Sequence, residues 1–145
     1  MKRTWVFGLG VAAFLFLTAT GAWGHCEMPC GIYGDEMRFQ MMQEHITTIE
    51  KSMNQIIDLE KKQDHQSNQL IRWVGNKEHH AQALQQIITQ YFLTQRIKID
   101  AKDYAKKLTV LHKMLVFSMK CKQTTDVKHV RKLQDLVKDF QGLYF

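Results

Sequence analysis

The residues able to do chemistry cluster near one end of the chain. The stretch His25-Cys26-Glu27-Met28-Pro29-Cys30-Gly31-Ile32-Tyr33 holds an imidazole and two thiols, with a proline and a glycine among them. It fits neither helical nor strand patterning, and it can curl so that Cys26 and Cys30 face one point. Thiolates and nitrogen donors so close together suit a transition metal. If the chain is cut before His25, the freed α-amine, the next amide nitrogen and the Cys26 thiolate become consecutive donors that close two small chelate rings. The Cys30 thiolate closes the fourth corner. A planar two-nitrogen, two-sulfur set suits nickel(II) or copper(II), whereas zinc prefers a tetrahedron. The His25 imidazole is left over for an axial position. Thiolates make a higher oxidation state accessible, so electron transfer suits this donor set better than hydrolysis. Two other readings stand beside it: a Cys26–Cys30 disulfide and a plain flexible tail.

The segment ahead of His25 supplies the cut. Lys2 and Arg3 precede an apolar run from Trp5 to about Ala19, and Ala22-Trp23-Gly24 has the small residues of a cleavage signal. Residues 1–24 are therefore expected to be a cleaved signal peptide, which makes the protein exported, periplasmic or extracellular. The run is short and interrupted by Gly8, Gly10 and Thr18, which argues against a retained membrane anchor. His25 stands directly before Cys26, where a lipoprotein would need a small residue.

Beyond residue 35 the repeating signal is helical. Met42, Ile46, Ile49, Met53 and Ile56 mark one stripe of a helix over 36–62, capped by Gly34 or Asp35. Residues 63–68 form a polar break. A second helix is predicted over 67–94, with Leu70, Val74, Ala81, Leu84, Ile88 and Tyr91 facing inward and a possible bend at Gly75-Asn76. A third starts near Asp100, read as its N-cap with Asp103 three residues on, and has Tyr104, Leu108, Leu111 and Leu115 as its seam. A fourth starts near Thr125 or Asp126 and carries Val130, Leu133, Val137, Phe140 and Tyr144. Four amphipathic helices with short connections bury their stripes only against each other. The fold class is all-α: an antiparallel four-helix bundle over 35–145, with an irregular metal-binding hook over 25–34. Pro29, the sole proline, lies outside every predicted helix.

Composition narrows the function further. The leader carries two of the twenty Lys and Arg and none of the fourteen acids, leaving a formal +4 on the 121 residues that follow. These charges are interspersed and form no basic stripe, so no nucleic-acid partner is expected. No membrane partner is expected once the leader is gone. A c-type haem is excluded, since no Cys-x-x-Cys-His occurs. Cys121 is read as a buried or idle thiol, the methionines as core filler, and His79-His80 as part of a solvated polar face.

The pattern His25-Cys26-x-x-Pro29-Cys30-Gly31-x-Tyr33 resembles the nickel hook of nickel-containing superoxide dismutases. The likeness extends over 25–145 in length and helical seams. It implies one nickel ion per subunit, held by the amine and imidazole of His25, the amide nitrogen and sulfur of Cys26 and the sulfur of Cys30. It implies superoxide as substrate, Ni(III)/Ni(II) cycling and a homohexamer of bundles. By the same resemblance Pro29 shapes the turn, Gly31 belongs to the hook, and Tyr33 lines the substrate pocket with Tyr91 of the Tyr91-Phe92 pair. A secreted nickel- or copper-binding module without turnover is the alternative. Glu27, Met28 and Ile32 are mild departures from the family pattern. Some members hold the axial imidazole with a glutamate on the first helix and an arginine on the second. Met41 and His80 stand near those places here, with Glu44, Glu78 and His79 as the other polar candidates.

Overall fold

The computed structural model describes residues 27–62 and 66–145. The leader, His25, Cys26 and part of the polar break lie outside the described residues. Four α-helices follow in order: α1 (Asp35–Glu60), α2 (Ser67–Gln86), α3 (Tyr104–Gln123) and α4 (Val127–Tyr144). A π-helical segment, Ile87–Arg96, continues α2 without a break. Each helix packs on its neighbour in sequence, and α4 closes the bundle against α1. The protein is an all-α antiparallel bundle, as the apolar spacing requires.

The stripes explain the packing. Met42, Ile46, Ile49, Met53 and Ile56 are all buried on α1, and Val130, Leu133, Val137 and Phe140 are buried on α4. Each such side chain removed from water contributes about 1.5–3 kcal/mol. At the hook end, Phe39, Phe92 and Phe140 from α1, the π segment and α4 meet with ring centroids 4.9–5.4 Å apart. Such aromatic pairs add roughly 0.5–1.5 kcal/mol each to the burial term. The end of the bundle that carries the hook is therefore fixed by three large rings. Met42, Met53 and Met114 fill the core as expected of filler methionines, whereas Met28, Met37 and Met119 are exposed.

Four details depart from the sequence expectation. First, α2 is α-helical only to Gln86, and the turn then widens through Arg96. Second, Val74 is 40% exposed and Leu70 half-buried; the stripe is completed instead by Lys77, which is 4% exposed. The Lys77 ammonium donates to the carbonyls of Cys121 (2.8 Å) and Lys122 at the C-terminal end of α3, and to Glu78 (3.2 Å). A cation at the negative end of a helix, satisfying carbonyls the helix leaves unpaired, is tolerated where an isolated charge would not be. Third, α3 is capped by Asp103, in left-handed conformation (φ 56°), and not by Asp100. Asp103 pairs with Lys106 at 2.8 Å and makes no side-chain cap bond. Fourth, Gly75-Asn76 does not interrupt α2; the Asn76 amide donates to buried Ser52 of α1 at 3.0 Å. By contrast, Asp126 caps α4 as expected, accepting from the Lys128 amide at 3.0 Å.

Candidate metal centre

The described part of the hook begins at Glu27 and bends through Gly31. The Met28–Pro29 peptide bond is cis, and Gly31 has φ +78°. That left-handed conformation strains any residue with a Cβ, although open space surrounds the Gly31 α-carbon. The glycine of the motif is thus required by backbone shape rather than by crowding. Cys30 is exposed and forms no disulfide with a described residue. Tyr33 is 41% exposed, and its ring meets Tyr91 edge-on at 6.0 Å. The structure therefore brings Cys30, Tyr33 and Tyr91 to one end of the bundle. His25 and Cys26 lie outside the described residues.

Where the hook joins α1, Asp35 anchors a network that sequence reading did not anticipate. Its carboxylate accepts from Arg96 Nε (2.9 Å) and Nη2 (2.6 Å), from the Tyr91 hydroxyl (2.5 Å) and from the Tyr144 hydroxyl (2.9 Å). Arg96 Nε also donates to Tyr144 Oη at 3.1 Å. Bidentate arginine–carboxylate pairs are among the strongest charge-assisted contacts. Burial pushes the Asp35 carboxyl up, but these donors outweigh it and hold it below the usual carboxylate range. Burial, and then the hydrogen bond to Asp35, push Tyr91 up to about 12. Tyr144 also rises to about 12, again chiefly by burial. Both phenols are therefore neutral donors at physiological pH. The Arg96 guanidinium lies 4.3 Å over the Tyr33 ring, a cation–π contact that ties the network to the hook.

A cavity of about 520 Å³ opens beside the hook. Met28 and Pro29 line it from the hook, Arg38, Met41 and His45 from α1, and Gln86, Gln90 and Tyr91 from the other wall. Arg38 Nε is buried with no hydrogen-bond partner among the described residues. Its guanidinium stacks over the Tyr91 ring at 4.9 Å. At the cavity's edge His45 Nδ1 meets His80 Nδ1 at 2.9 Å, one ring donating and the other accepting. Burial lowers the pKa of both, and the neighbouring imidazoles lower it further: His80 and His79 act on His45, with Glu44 opposing, and His79 acts on His80. Both shifts favour the uncharged form of each ring.

This pairing corrects the reading of His79-His80 as a solvated face. His79 is exposed, but His80 is half-buried and held by His45. Glu44 is exposed, and Glu78 is engaged by Lys77, so neither lines the cavity. His45 was missed because it lies beside the stripe, one residue before buried Ile46. Asp35 and Arg96 were missed because 61 residues separate them and neither carries a local signal. Cys121 is wholly buried, as expected of an idle thiol, and burial pushes it up to about 12.

The larger groove between α3 and α4, about 770 Å³ and lined by Ala105, Lys106, Val110 and Lys138 among others, holds no cysteine or histidine. Among the described residues no three His, Cys, Asp or Glu side chains converge as a metal-binding group. Of the three residues expected as metal ligands, Cys30 alone lies among the described residues.

In a comparison with known families, the model for nickel-containing superoxide dismutase matches residues 19–145. No curated protein and no solved structure matches the chain.

Proposed function

The chain belongs to the nickel-containing superoxide dismutase family, a family of oxidoreductases, and from that premise we propose that it dismutates superoxide at a nickel ion held by His25, Cys26 and Cys30. Two superoxide anions and two protons give dioxygen and hydrogen peroxide. Bound there, nickel would supply a Ni(III)/Ni(II) couple for the one-electron exchanges that dismutation needs. The observation that carries the reading is the exposed Cys30 thiol, directly before the Gly31-Ile32-Tyr33 end of the family's hook pattern and at the same end of the bundle as the Tyr33–Tyr91 pair.

The chain's own residues have distinct parts. The thiolates of Cys26 and Cys30, with the amine, imidazole and amide nitrogen at His25-Cys26, hold the ion. Tyr33, exposed and braced by Tyr91, orients the small anion. Arg38, stacked on Tyr91, adds positive potential that gathers anions, while the Arg96 charge is balanced by Asp35. Among the described residues no helix is long and apolar enough to cross a membrane. Export through the 1–24 leader, a periplasmic or extracellular location, one nickel per subunit and a homohexamer belong to the same proposal.

Leader removal is then part of the mechanism, because an uncut chain has an amide at His25 in place of the amine. The experiment compares chains beginning at Met1 and at His25, both loaded with nickel. Dismutation by the cut chain alone is expected. Equal activity would refute the amine ligand, and nickel binding without turnover in either form would leave a metal-binding module.

A further inference from the structure

We propose that the π-helical segment Ile87–Arg96 is a clamp for the hook, with Arg96 and Gln95 as positioning residues; the inference rests on the nickel-site reading above.

The argument begins with the shape of the turn. In an α-helix, side chains five apart diverge, since a turn takes 3.6 residues. In a π-helix the hydrogen bonds run between residues five apart, the turn widens, and such residues share a face. Here Tyr91 and Arg96, five apart, both reach the Asp35 carboxylate. Gln90 and Gln95, also five apart, are joined by a bond from Gln95 Nε2 to the Gln90 carbonyl at 2.8 Å. The wide turn thus aims two adjacent side chains, Gln95 and Arg96, toward the hook.

Both make contacts that fastening the helices does not require. Gln95 Nε2 donates to the Met28 carbonyl at 3.2 Å. The Arg96 guanidinium covers the Tyr33 ring at 4.3 Å. The two contacts grip the hook on either side of Cys30. Arg96 is in turn fixed by Asp35 and Tyr144, so the grip is referred back to α1 and to the end of α4. A network serving bundle stability alone would leave Met28 and Tyr33 untouched.

Two variants test this, Arg96→Lys and Gln95→Ala. Arg96→Lys keeps the charge but loses the bidentate fork and the stacked plane. Gln95→Ala removes one contact to the hook and leaves the Asp35 network intact, so it reports even if Arg96→Lys folds poorly. In the metal-free full chain, backbone ¹⁵N order parameters over 30–33 should fall from about 0.85 toward below about 0.6, while those of α1 stay put. In the nickel-loaded chain beginning at His25, release of nickel to a chelator should quicken on the order of tenfold, the loss of one such contact. Gln95→Ala should do both with the melting temperature unchanged. Hook order parameters and nickel release at wild-type values in both variants would overturn the proposal. A wild-type protein that binds nickel without turnover would refute the dismutase reading, while the order parameters would still decide the clamp.

Discussion

Replacing Asp35 by Asn should cost the fold about 2–3 kcal/mol. The Asp35 carboxylate accepts four hydrogen bonds, two from Arg96 and one each from Tyr91 and Tyr144. The Asp35 and Arg96 side chains are 19% and 25% exposed. Breaking a fully buried ion pair costs about 3–5 kcal/mol, and an exposed one contributes about 0–1; this pair falls between. Asn keeps one oxygen for Tyr91 but turns an NH₂ toward Arg96 Nη2 or Nε, which leaves a cation facing a donor. With a urea slope of about 1–3 kcal/mol/M, the midpoint should fall by roughly 1–2 M. A double-mutant cycle of Asp35→Asn with Arg96→Gln should give a coupling energy of about 1–2 kcal/mol. The pH dependence has a definite sign. Because the folded Asp35 carboxyl titrates below its ordinary 3.8, its contribution is complete above that value and is lost as pH falls through the folded pKa. The deficit of Asp35→Asn should therefore shrink only in strong acid. Strictly additive single variants, or an unchanged midpoint at neutral pH, would refute the reasoning.

Two further outcomes follow from titration. Burial and neighbouring imidazoles lower the pKa of both rings, His80 and His79 acting on His45 and His79 on His80, so the unfolded chain takes up protons first as pH falls below about 6.5. Stability should decline from there downward, and in His45→Gln with His80→Gln the slope of urea midpoint against pH between about 7.5 and 5.5 should flatten; an unchanged slope counts against the pair. Cys121, buried and pushed up to about 12, should resist alkylation at pH 8 in the native protein while exposed Cys30 reacts, as read by peptide mass; labelling of both at one rate would contradict the packing.

The hook and the bundle were legible in the sequence for different reasons. Cys26, Cys30 and their spacing state a donor set without any fold. The stripes of α1 and α4 state a fold because Met42 to Ile56 and Val130 to Phe140 repeat at helical spacing. Lys77 was passed over for the converse reason. It continues the stripe of Ala81 and Leu84 in register, yet a hydrophobic reading skips a lysine. Its ammonium is acceptable there because α3 ends beside it and offers the carbonyls of Cys121 and Lys122. Asp103 was passed over because a left-handed cap without a side-chain bond leaves little local trace.

The π segment is the case where a signal was present and pointed elsewhere. Buried Ala81, Leu84 and Ile88 step by three and four, which an α-helix satisfies. Buried Ile88, Phe92 and Ile97 step by four and then five, which it does not. A strict α-helix through Arg96 would carry Ile97 away from the core and turn Arg96 away from the face that holds Tyr91. Widening the turn keeps Phe92 and Ile97 buried and places Tyr91 and Arg96 on one carboxylate. The core's demand for Ile97 and the site's demand for Arg96 are thus met by one distortion. Changing Ile97 to a polar residue should disturb both together, since burial of Ile97 is what makes the wide turn worth its poorer helical geometry.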